Sequence, residues 1–259
     1  GHRKPPLPRV RWSTCKHQFW ILGGICILYT DMSSPLLQLT TAPDLVEQVY
    51  SRLLDAISEG ALPPGERLTQ EDLAQRLAVS RQPVLQALRL LKKDGFVEDA
   101  PGRGVRVTQL DVGWIAQVYQ VRGSLDALAV RLAAERRARL DEDVMRQGRL
   151  AESGRDVQAM IQADLAFHRA TYHASGNPLI AQSIELHWHH LKRVMGAVLQ
   201  SSYQRQTVWD EHEAIAQAIA AGDAELAVRL VQEHAHEASV QLTARLSEQI
   251  QHLKTGAQA

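Results

Sequence analysis

Cysteine, aromatic residues and net charge are all scarce in this sequence. Only two cysteines occur in 259 residues, both among the first 31, so nothing points to a disulfide-stabilised fold. The 29 basic and 29 acidic residues cancel, which excludes a uniformly basic protein that coats nucleic acid. Aromatic residues make up 5% of the chain, whereas alanine, leucine, glutamine and arginine are abundant, as is typical of a helical protein.

The most informative stretch, Leu68–Leu91, predicts two short helices joined by a tight turn. Thr69 and Asp72 form a pattern like a capping box at the start of the first helix. Ser80 is the expected N-cap of the second helix, whose first turn tolerates Pro83 because the backbone N–H groups there lack helical partners. Such a hairpin can place the N-terminus of its second helix in the major groove of DNA, although an ordinary helical hairpin fits the pattern equally well.

The residues around this hairpin favour DNA binding. An amphipathic helix is predicted from Leu45 to Ile57. After the hairpin, two short strands at Phe96–Glu98 and Gly104–Thr108 are joined by a loop that carries Arg103 between two glycines. Three helices followed by a β-hairpin wing predict a winged helix-turn-helix over residues 40–109.

DNA contacts are expected from the N-terminus of the second helix and from the wing. Arg81 suits bidentate reading of guanine, and Gln82 could pair with adenine. Ser80 and the first amides of the helix can donate to a phosphate, and Arg103 would enter or flank the minor groove. Arg89 is either a phosphate contact or a solvated charge. The predicted DNA-binding residues are Thr69, Ser80, Arg81, Gln82, Arg89, Gly102, Arg103 and Gly104.

The first 31 residues differ from the rest. A basic segment precedes the apolar run Phe19–Tyr29, which superficially resembles a signal peptide but is too short to span a bilayer comfortably. A DNA-binding pattern follows, and Met32 is well placed as a natural start. We therefore expect residues 1–31 to be a disordered extension, added by cloning or by a misassigned start, and we expect a cytoplasmic, nucleoid-associated bacterial protein without membrane contact.

From Asp111 onward the apolar spacing is that of helices, and no strand is indicated. Helices are predicted at about 111–139, 141–152, 156–175, 178–201, 205–221 and 223–251. The short turns between them favour an antiparallel bundle over residues 111–251, whose interior is a common place for a ligand or metal. The predicted fold is mainly α: an N-terminal winged helix-turn-helix with a small β-hairpin wing, followed by an all-α antiparallel helical bundle.

Eight of the eleven histidines lie between positions 168 and 236. Asp164 and His168 are four residues apart and share one helical face. His212 and His234 flank a predicted turn at similar distances, so an antiparallel hairpin brings them to the same level. One carboxylate and three neutral imidazoles suit a divalent metal ion, most of all Zn²⁺, with Ni²⁺, Mn²⁺ or Fe²⁺ as alternatives. For any single histidine, a surface or hydrogen-bonded position is the commoner alternative.

Both halves of the chain resemble one known family. The segment ISEGALPPGERLTQEDLAQRLAVSRQPVLQALRLLKKDGFVEDAPGRGVRV is similar to the DNA-binding domain of GntR-type bacterial transcription regulators. The segments VRGSLDALAVRLAAER, DLAFHRATYHASGNPLI and DEHEAIAQAIAAGDAELAVRLVQEHAHEAS resemble the FCD ligand-binding domain of the FadR subfamily. The resemblance implies a metabolite-responsive repressor, not an enzyme, that binds palindromic operator DNA as a homodimer and senses a small organic acid.

The resemblance also implies roles for individual residues. Many members of the subfamily bind a metal through an aspartate and three histidines, and the matching positions are Asp164, His168, His212 and His234. Arg122 matches an arginine that often faces the effector cavity, and a salt bridge inside the bundle is the alternative. The predicted effector-binding residues are Arg122, Asn177, His190 and Arg193.

Two departures from the family concern the operator. Glu71 and Leu85 stand where the family commonly carries arginines that contact DNA. Some contacts of the family are therefore absent, and the operator is expected to differ from the usual one.

Two other functions are compatible with parts of the sequence. A metal-free regulator that senses a long acyl chain is disfavoured, because an apolar tunnel would not need Asp164 and the three matched histidines. A metal-dependent hydrolase with a DNA-binding domain is disfavoured, because no general-base motif, nucleophile elbow, phosphate-binding loop or dinucleotide fingerprint is present.

Overall fold

The computed structural model describes residues 20–22, 25–27, 45–154, 156–199 and 208–256. The chain divides into two compact units, residues 1–43 and 44–259. In the first unit, β1 (Trp20–Leu22) pairs antiparallel with β2 (Ile25–Ile27). This hairpin differs from the disorder expected for residues 1–31, because two apolar triplets separated by a glycine pair are a common hairpin pattern. The rest of that expectation lies outside the described residues.

The second unit begins with the predicted winged helix-turn-helix. Its helices are α1 (Leu45–Ser58), α2 (Gln70–Arg76) and α3 (Arg81–Lys93). Its strands are β3 (Arg67–Leu68), β4 (Val97–Asp99) and β5 (Val105–Val107). They form an antiparallel sheet in the order β3-β5-β4. The predicted helices and wing are confirmed, whereas β3 was missed because two residues are too few to show an alternating pattern.

The turn between α2 and α3 contains a left-handed residue. The Thr69 hydroxyl accepts a hydrogen bond from the Asp72 backbone N–H at 3.2 Å, which confirms the predicted cap of α2. Ser80 is the N-cap residue of α3, but its side chain makes no capping hydrogen bond there. Between them Ala78 has a φ of 54°. A Cβ atom in this conformation is close to the backbone, so alanine is strained where glycine would not be.

Replacing Ala78 with glycine should therefore raise the free energy of unfolding by about 0.5–1 kcal/mol, because relief of strain outweighs the greater chain entropy of unfolded glycine. Urea denaturation followed by circular dichroism measures this. The matched control is Ala220→Gly, at an exposed position of a helix, which should lower stability instead. Equal destabilisation by both substitutions would show that Ala78 is not strained.

Six helices form the bundle. They are α4 (Val112–Glu135), α5 (Glu142–Ser153), α6 (Val157–Ser175), α7 (Pro178–Leu199), α8 (Val208–Ala221) and α9 (Ala224–Gly256). The predicted helices are confirmed, with ends that differ by only a few residues except at the C-terminus of α9. Helices α4 and α9 make the most extensive contact, and α6 and α8 pack beside them. None of the helices in the described part of the chain has the length and apolar character needed to cross a membrane.

Helix α7 joins the bundle to the winged helix. It packs against α6 on one side and against α1 on the other. Leu186 of α7 adds to the apolar core of the winged helix, which includes Leu53, Leu88 and Phe96. Trp188 and Leu191 of the same helix belong to the core of the bundle. Helix α7 thus contributes side chains to the apolar cores of both predicted domains, and the two domains lie within one compact unit.

Candidate metal centre and DNA-binding surface

Four side chains meet inside the bundle. Asp164 and His168 come from α6, His212 comes from α8 and His234 comes from α9. One possible ligand atom from each lies within 4.8 Å of the others. The three histidines are buried, and the Asp164 side chain is 13% exposed. The structure therefore brings together the four residues that the sequence predicts as metal ligands.

The chemistry of this donor set fits a divalent transition metal. Oδ1 of Asp164 lies 3.5 Å from Nε2 of His212 and 3.9 Å from Nε2 of His168. Two ligands that bind one ion with bonds of about 2.1 Å are at most about 4.2 Å apart, so small side-chain movements would suffice to hold a metal here. Burial lowers the pKa of His168 well below its usual value, and nearby Arg122 lowers it further. The imidazole is therefore neutral, which is the form that binds a metal.

One carboxylate orients a histidine of the cluster. Oε2 of Glu211 lies 2.8 Å from Nδ1 of His234, which leaves Nε2 of that ring available. A carboxylate behind a metal-binding histidine fixes the tautomer and the ring orientation. Oδ2 of Asp126 lies 3.8 Å from Nδ1 of His168, which is too far for a hydrogen bond. Sequence reasoning missed the role of Glu211, because no helical spacing relates residues 23 positions apart.

Asp126 is also the centre of a buried polar network. It accepts hydrogen bonds from Nε of Arg122 at 3.1 Å and from the Tyr172 hydroxyl at 2.5 Å. Nη2 of Arg122 donates to Nε2 of His168 at 2.5 Å, so this nitrogen can bind a metal only if the guanidinium moves away from it. Burial, the largest single influence, lowers the pKa of Arg122, but Asp126, Tyr119, Tyr172 and Asp164 together outweigh it and raise that pKa above its usual value. The guanidinium therefore remains charged inside the bundle.

A cavity of about 90 Å³ adjoins the cluster. One part of it is lined by Arg122, Asp164 and His234. Arg122 therefore faces the cavity, and it also makes a salt bridge inside the bundle, with Asp126. Arg245 of α9 lines the cavity as well. Sequence reasoning did not identify Arg245, although it lies eleven residues beyond His234, a spacing that keeps both on one side of a helix.

Three predicted effector residues lie outside this cavity. Nη2 of Arg193 donates to the Thr108 carbonyl oxygen at 2.7 Å, and Nε2 of His190 lies 3.1 Å from the Asp94 carbonyl oxygen. Both line a different cavity, of about 300 Å³, between the bundle and the winged helix. Oδ1 of Asn177 accepts from the Leu179 backbone N–H and caps α7. None of these three residues lines the cavity beside the cluster, so their contact with an effector stays a prediction.

Helix α7 meets the winged helix through Arg193, His190 and Lys192. Burial lowers the pKa of Arg193 to about 10. Burial and then the nearby Arg193 charge lower the pKa of His190 to about 4, and its ring stacks on Phe96 at 4.0 Å. Nζ of Lys192 lies 3.8 Å from Oε1 of Glu59. The same helix places the Trp188 ring 5.2 Å from that of His168, so α7 connects the cluster with the winged helix.

Most of the predicted DNA-contacting residues are exposed on the winged helix. Arg81 and Gln82 begin α3 and are exposed, as are Ser80 and Arg89. The guanidinium of Arg81 forms an ion pair with Glu71 of α2. Because more than half of each side chain is exposed, this pair adds little stability and leaves the guanidinium accessible.

Hydrogen bonds hold the tip of the wing against β3. Arg67 donates two hydrogen bonds to the Arg103 carbonyl oxygen, at 2.6 and 3.2 Å. Gly104 has a φ of 97°, and a Cβ atom there would lie 2.6 Å from the Leu68 carbonyl oxygen, so this position requires glycine. The Arg103 side chain is exposed at the tip. Sequence reasoning found Arg103 and its glycines but missed Arg67, because β3 itself was missed.

Comparison with known proteins decides the family. Residues 45–107 match the family described as bacterial regulatory proteins, gntR family, and residues 117–237 match the FCD domain. The regulator LutR of Bacillus subtilis is 30% identical over 198 residues, which cover 64% of this chain and 87% of LutR. The chain belongs to the GntR family.

Other relatives of this GntR-family protein are also transcription regulators. McbR of Escherichia coli is 30% identical over 148 residues, which cover 56% of this chain and 67% of McbR. A Paenarthrobacter nicotinovorans protein described as a probable D-xylose utilization operon transcriptional repressor is 28% identical over 211 residues, which cover 79% of this chain and 90% of that protein. The GntR-family protein is therefore a transcription regulator and not an enzyme, and the hydrolase alternative is wrong.

Solved structures show the same fold. The E. coli McbR/YncC structure has a TM-score of 0.67 and 23% identity, and the match covers 80% of this chain and 99% of that chain. A GntR transcriptional regulator from Rhodococcus sp. RHA1 has a TM-score of 0.67 and 24% identity, with 77% and 97% covered. GntR-family regulators bind operator DNA and an effector, which agrees with the coarse function predicted from the sequence.

Proposed function

We propose that this GntR-family protein is a repressor of the FadR subfamily that binds a palindromic operator as a homodimer and releases it when a small organic acid binds. The organic acid binds in the bundle, beside a divalent metal ion held by Asp164, His168, His212 and His234. The observation that carries this proposal is the buried cluster of these four residues next to a cavity that Arg122 lines. Such a regulator acts at the nucleoid, in the bacterial cytoplasm.

The donor set favours zinc, with nickel, manganese or iron as alternatives. Three neutral imidazoles and one carboxylate are borderline ligands that all these ions accept. A bound ion would supply a localised positive charge that attracts the carboxylate of an organic acid. Glu211 holds the ring of His234 in place from behind.

The size of the cavity supports a small ligand. Its volume of about 90 Å³ is well below the roughly 300–1,000 Å³ of pockets that hold large ligands. A long acyl chain would need such a larger space. A small acid, with one carboxylate near Arg122, is therefore the better supported effector.

Helix α7 contacts both the cavity and the DNA-binding winged helix. The Arg122 guanidinium lies 4.4 Å from the centre of the Trp188 ring, and Met195 of the same helix lines the cavity. Arg193 and His190 anchor this helix to the winged helix through Thr108 and Asp94. A ligand that moves α7 would therefore change the separation of the two α3 helices in a dimer, and with it the fit to two half-sites.

Elemental analysis tests the metal. Protein purified without a nickel column should contain about one divalent ion per chain, as expected for a single site. The His212→Ala/His234→Ala variant should contain none, because half of the ligands are lost. His236→Ala, which removes an exposed histidine two residues from His234, is the matched control and should keep the ion.

A gel shift then tests the response to acids. DNA selected from genomic fragments by the purified protein should be released by at least one small organic acid from wild type and His236→Ala, but not from the double variant. If metal-free wild-type protein still released DNA in response to acids, the proposed role of the metal would be wrong. If no acid released the bound DNA, the proposed organic acid effector would be wrong.

A further inference from the structure

A second arginine lies beside the tip of the wing. Arg67 donates from Nη2 and Nε to the Arg103 carbonyl oxygen, at 2.6 and 3.2 Å, and its side chain is exposed. Each of these bonds uses one N–H group, so the guanidinium keeps further donors on Nη1 and Nη2 for another partner. We propose that Arg67 binds a phosphate group of the DNA directly. This proposal goes beyond the proposed function, because it depends neither on the metal nor on the effector.

The strand pattern directs Arg67 away from the core. Leu68, the other residue of β3, is 1% exposed and belongs to the apolar core of the winged helix. Successive residues of a strand point to opposite faces of a sheet, so Arg67 lies on the outer face. Its partner in the register is Arg106 of β5, which is also exposed. The outer face of this small sheet therefore carries two arginines on neighbouring strands.

The two arginines of this face differ in their partners. Nε of Arg106 donates to Oε1 of Glu98 at 2.7 Å, so an ion pair compensates that charge. Arg67 instead donates to a neutral carbonyl oxygen, and it forms no ion pair within the part of the chain that the structure describes. The carbonyl oxygen fixes the direction of the guanidinium without cancelling its charge. An oriented guanidinium with remaining donors suits a phosphate, which it can bind through two N–H groups.

Arg67 also lies at the junction of the wing and the helix-turn-helix. Thr69, two residues further along the chain, is the N-cap of α2. A Cβ atom at Gly104 of the wing would lie 3.7 Å from Cγ2 of Thr69, so the wing packs against the start of α2. Phosphate contacts fix the position of a protein on DNA but carry no sequence information directly. Loss of Arg67 should therefore weaken binding to every DNA sequence by a similar factor.

Titrations followed by fluorescence anisotropy at several salt concentrations test the proposal. They use the full chain with selected operator DNA and with unrelated DNA of equal length. Arg67→Gln should weaken binding to both DNAs about five- to tenfold at about 0.1 M salt for each wing that contacts DNA. The slope of log affinity against log salt concentration should become shallower by about 0.9 for each such wing, as expected for one lost phosphate contact.

Two control variants accompany Arg67→Gln. Arg67→Lys should keep the salt slope of wild type, because the ammonium group retains the charge. Arg229→Gln removes an exposed arginine of α9 and should behave as wild type at every salt concentration.

The same substitution in an Arg103→Gln background separates a phosphate contact from a role in holding the wing tip. A direct contact of Arg67 should be lost there with about the same factor in affinity and the same change of slope as in wild type. If Arg67→Gln had no further effect in the absence of the Arg103 side chain, Arg67 would act only through Arg103 and the proposal would be wrong. A salt slope of Arg67→Gln equal to that of wild type would also overturn it.

Discussion

Asp126→Ala is expected to lower the free energy of unfolding by about 3–5 kcal/mol, the effect of removing one partner from a buried ion pair. The Asp126 side chain is 1% exposed and that of Arg122 is 2% exposed. Without the carboxylate, the charged guanidinium stays buried in the bundle without its ion-pair partner, and the Tyr172 hydroxyl loses its acceptor. Urea denaturation at pH 7, followed by circular dichroism, measures the change.

Two control variants separate burial of charge from loss of packing. The double variant Arg122→Met/Asp126→Leu replaces the pair with apolar side chains and should recover most of the lost stability. Asp143→Ala breaks an exposed pair with Arg146 and should leave stability nearly unchanged. A single Asp126→Ala variant as stable as wild type would show that water reaches Arg122.

The second large effect concerns DNA. Arg81→Ala should weaken operator binding about 10- to 100-fold, which corresponds to about 1–3 kcal/mol for a lost bidentate contact with guanine. The guanidinium stands at the exposed N-terminus of α3, beside the Glu71 carboxylate, which helps to hold it. A gel-shift titration with selected operator DNA measures the affinity, and gel filtration checks that the oligomeric state is unchanged.

The side chain at position 81 can be varied to test the geometry. Arg81→Lys keeps the charge but lacks the planar pair of donors, so it should retain non-specific binding and lose preference for the operator. Arg229→Ala, which removes an exposed arginine of the bundle, should bind as wild type does. Unchanged operator affinity of Arg81→Ala would remove this residue from base reading.

Much of the fold could be predicted because its signals are local. Thr69 and Asp72 set the start of α2. Gly95, with a φ of 81°, follows the end of α3 and stops that helix. Asp164 and His168 are one helical turn apart, so their common face follows from the sequence. His212 and His234 required one more step, the antiparallel hairpin of α8 and α9, which the short turn between them made predictable.

The missed contacts join residues far apart in the chain. Arg67 and Arg103 meet because β3 joins the sheet, and Asp126 meets Tyr172 because α4 lies against α6. Periodicity tells which face of a helix is apolar, but it carries no information on which polar side chains face each other across two helices.

The sequence by itself determined the winged helix, the six-helix bundle and the four residues of the candidate metal centre, because capping, helical spacing and short turns act within a few tens of residues. Only the tertiary structure decided the directions of Arg193 and His190. Both lie on α7 close to residues of the bundle core, yet they face Thr108 and Asp94 of the winged helix. A helix between two domains buries more than one of its faces, and the packing of its neighbours, not its own sequence, determines which buried side chain meets which partner.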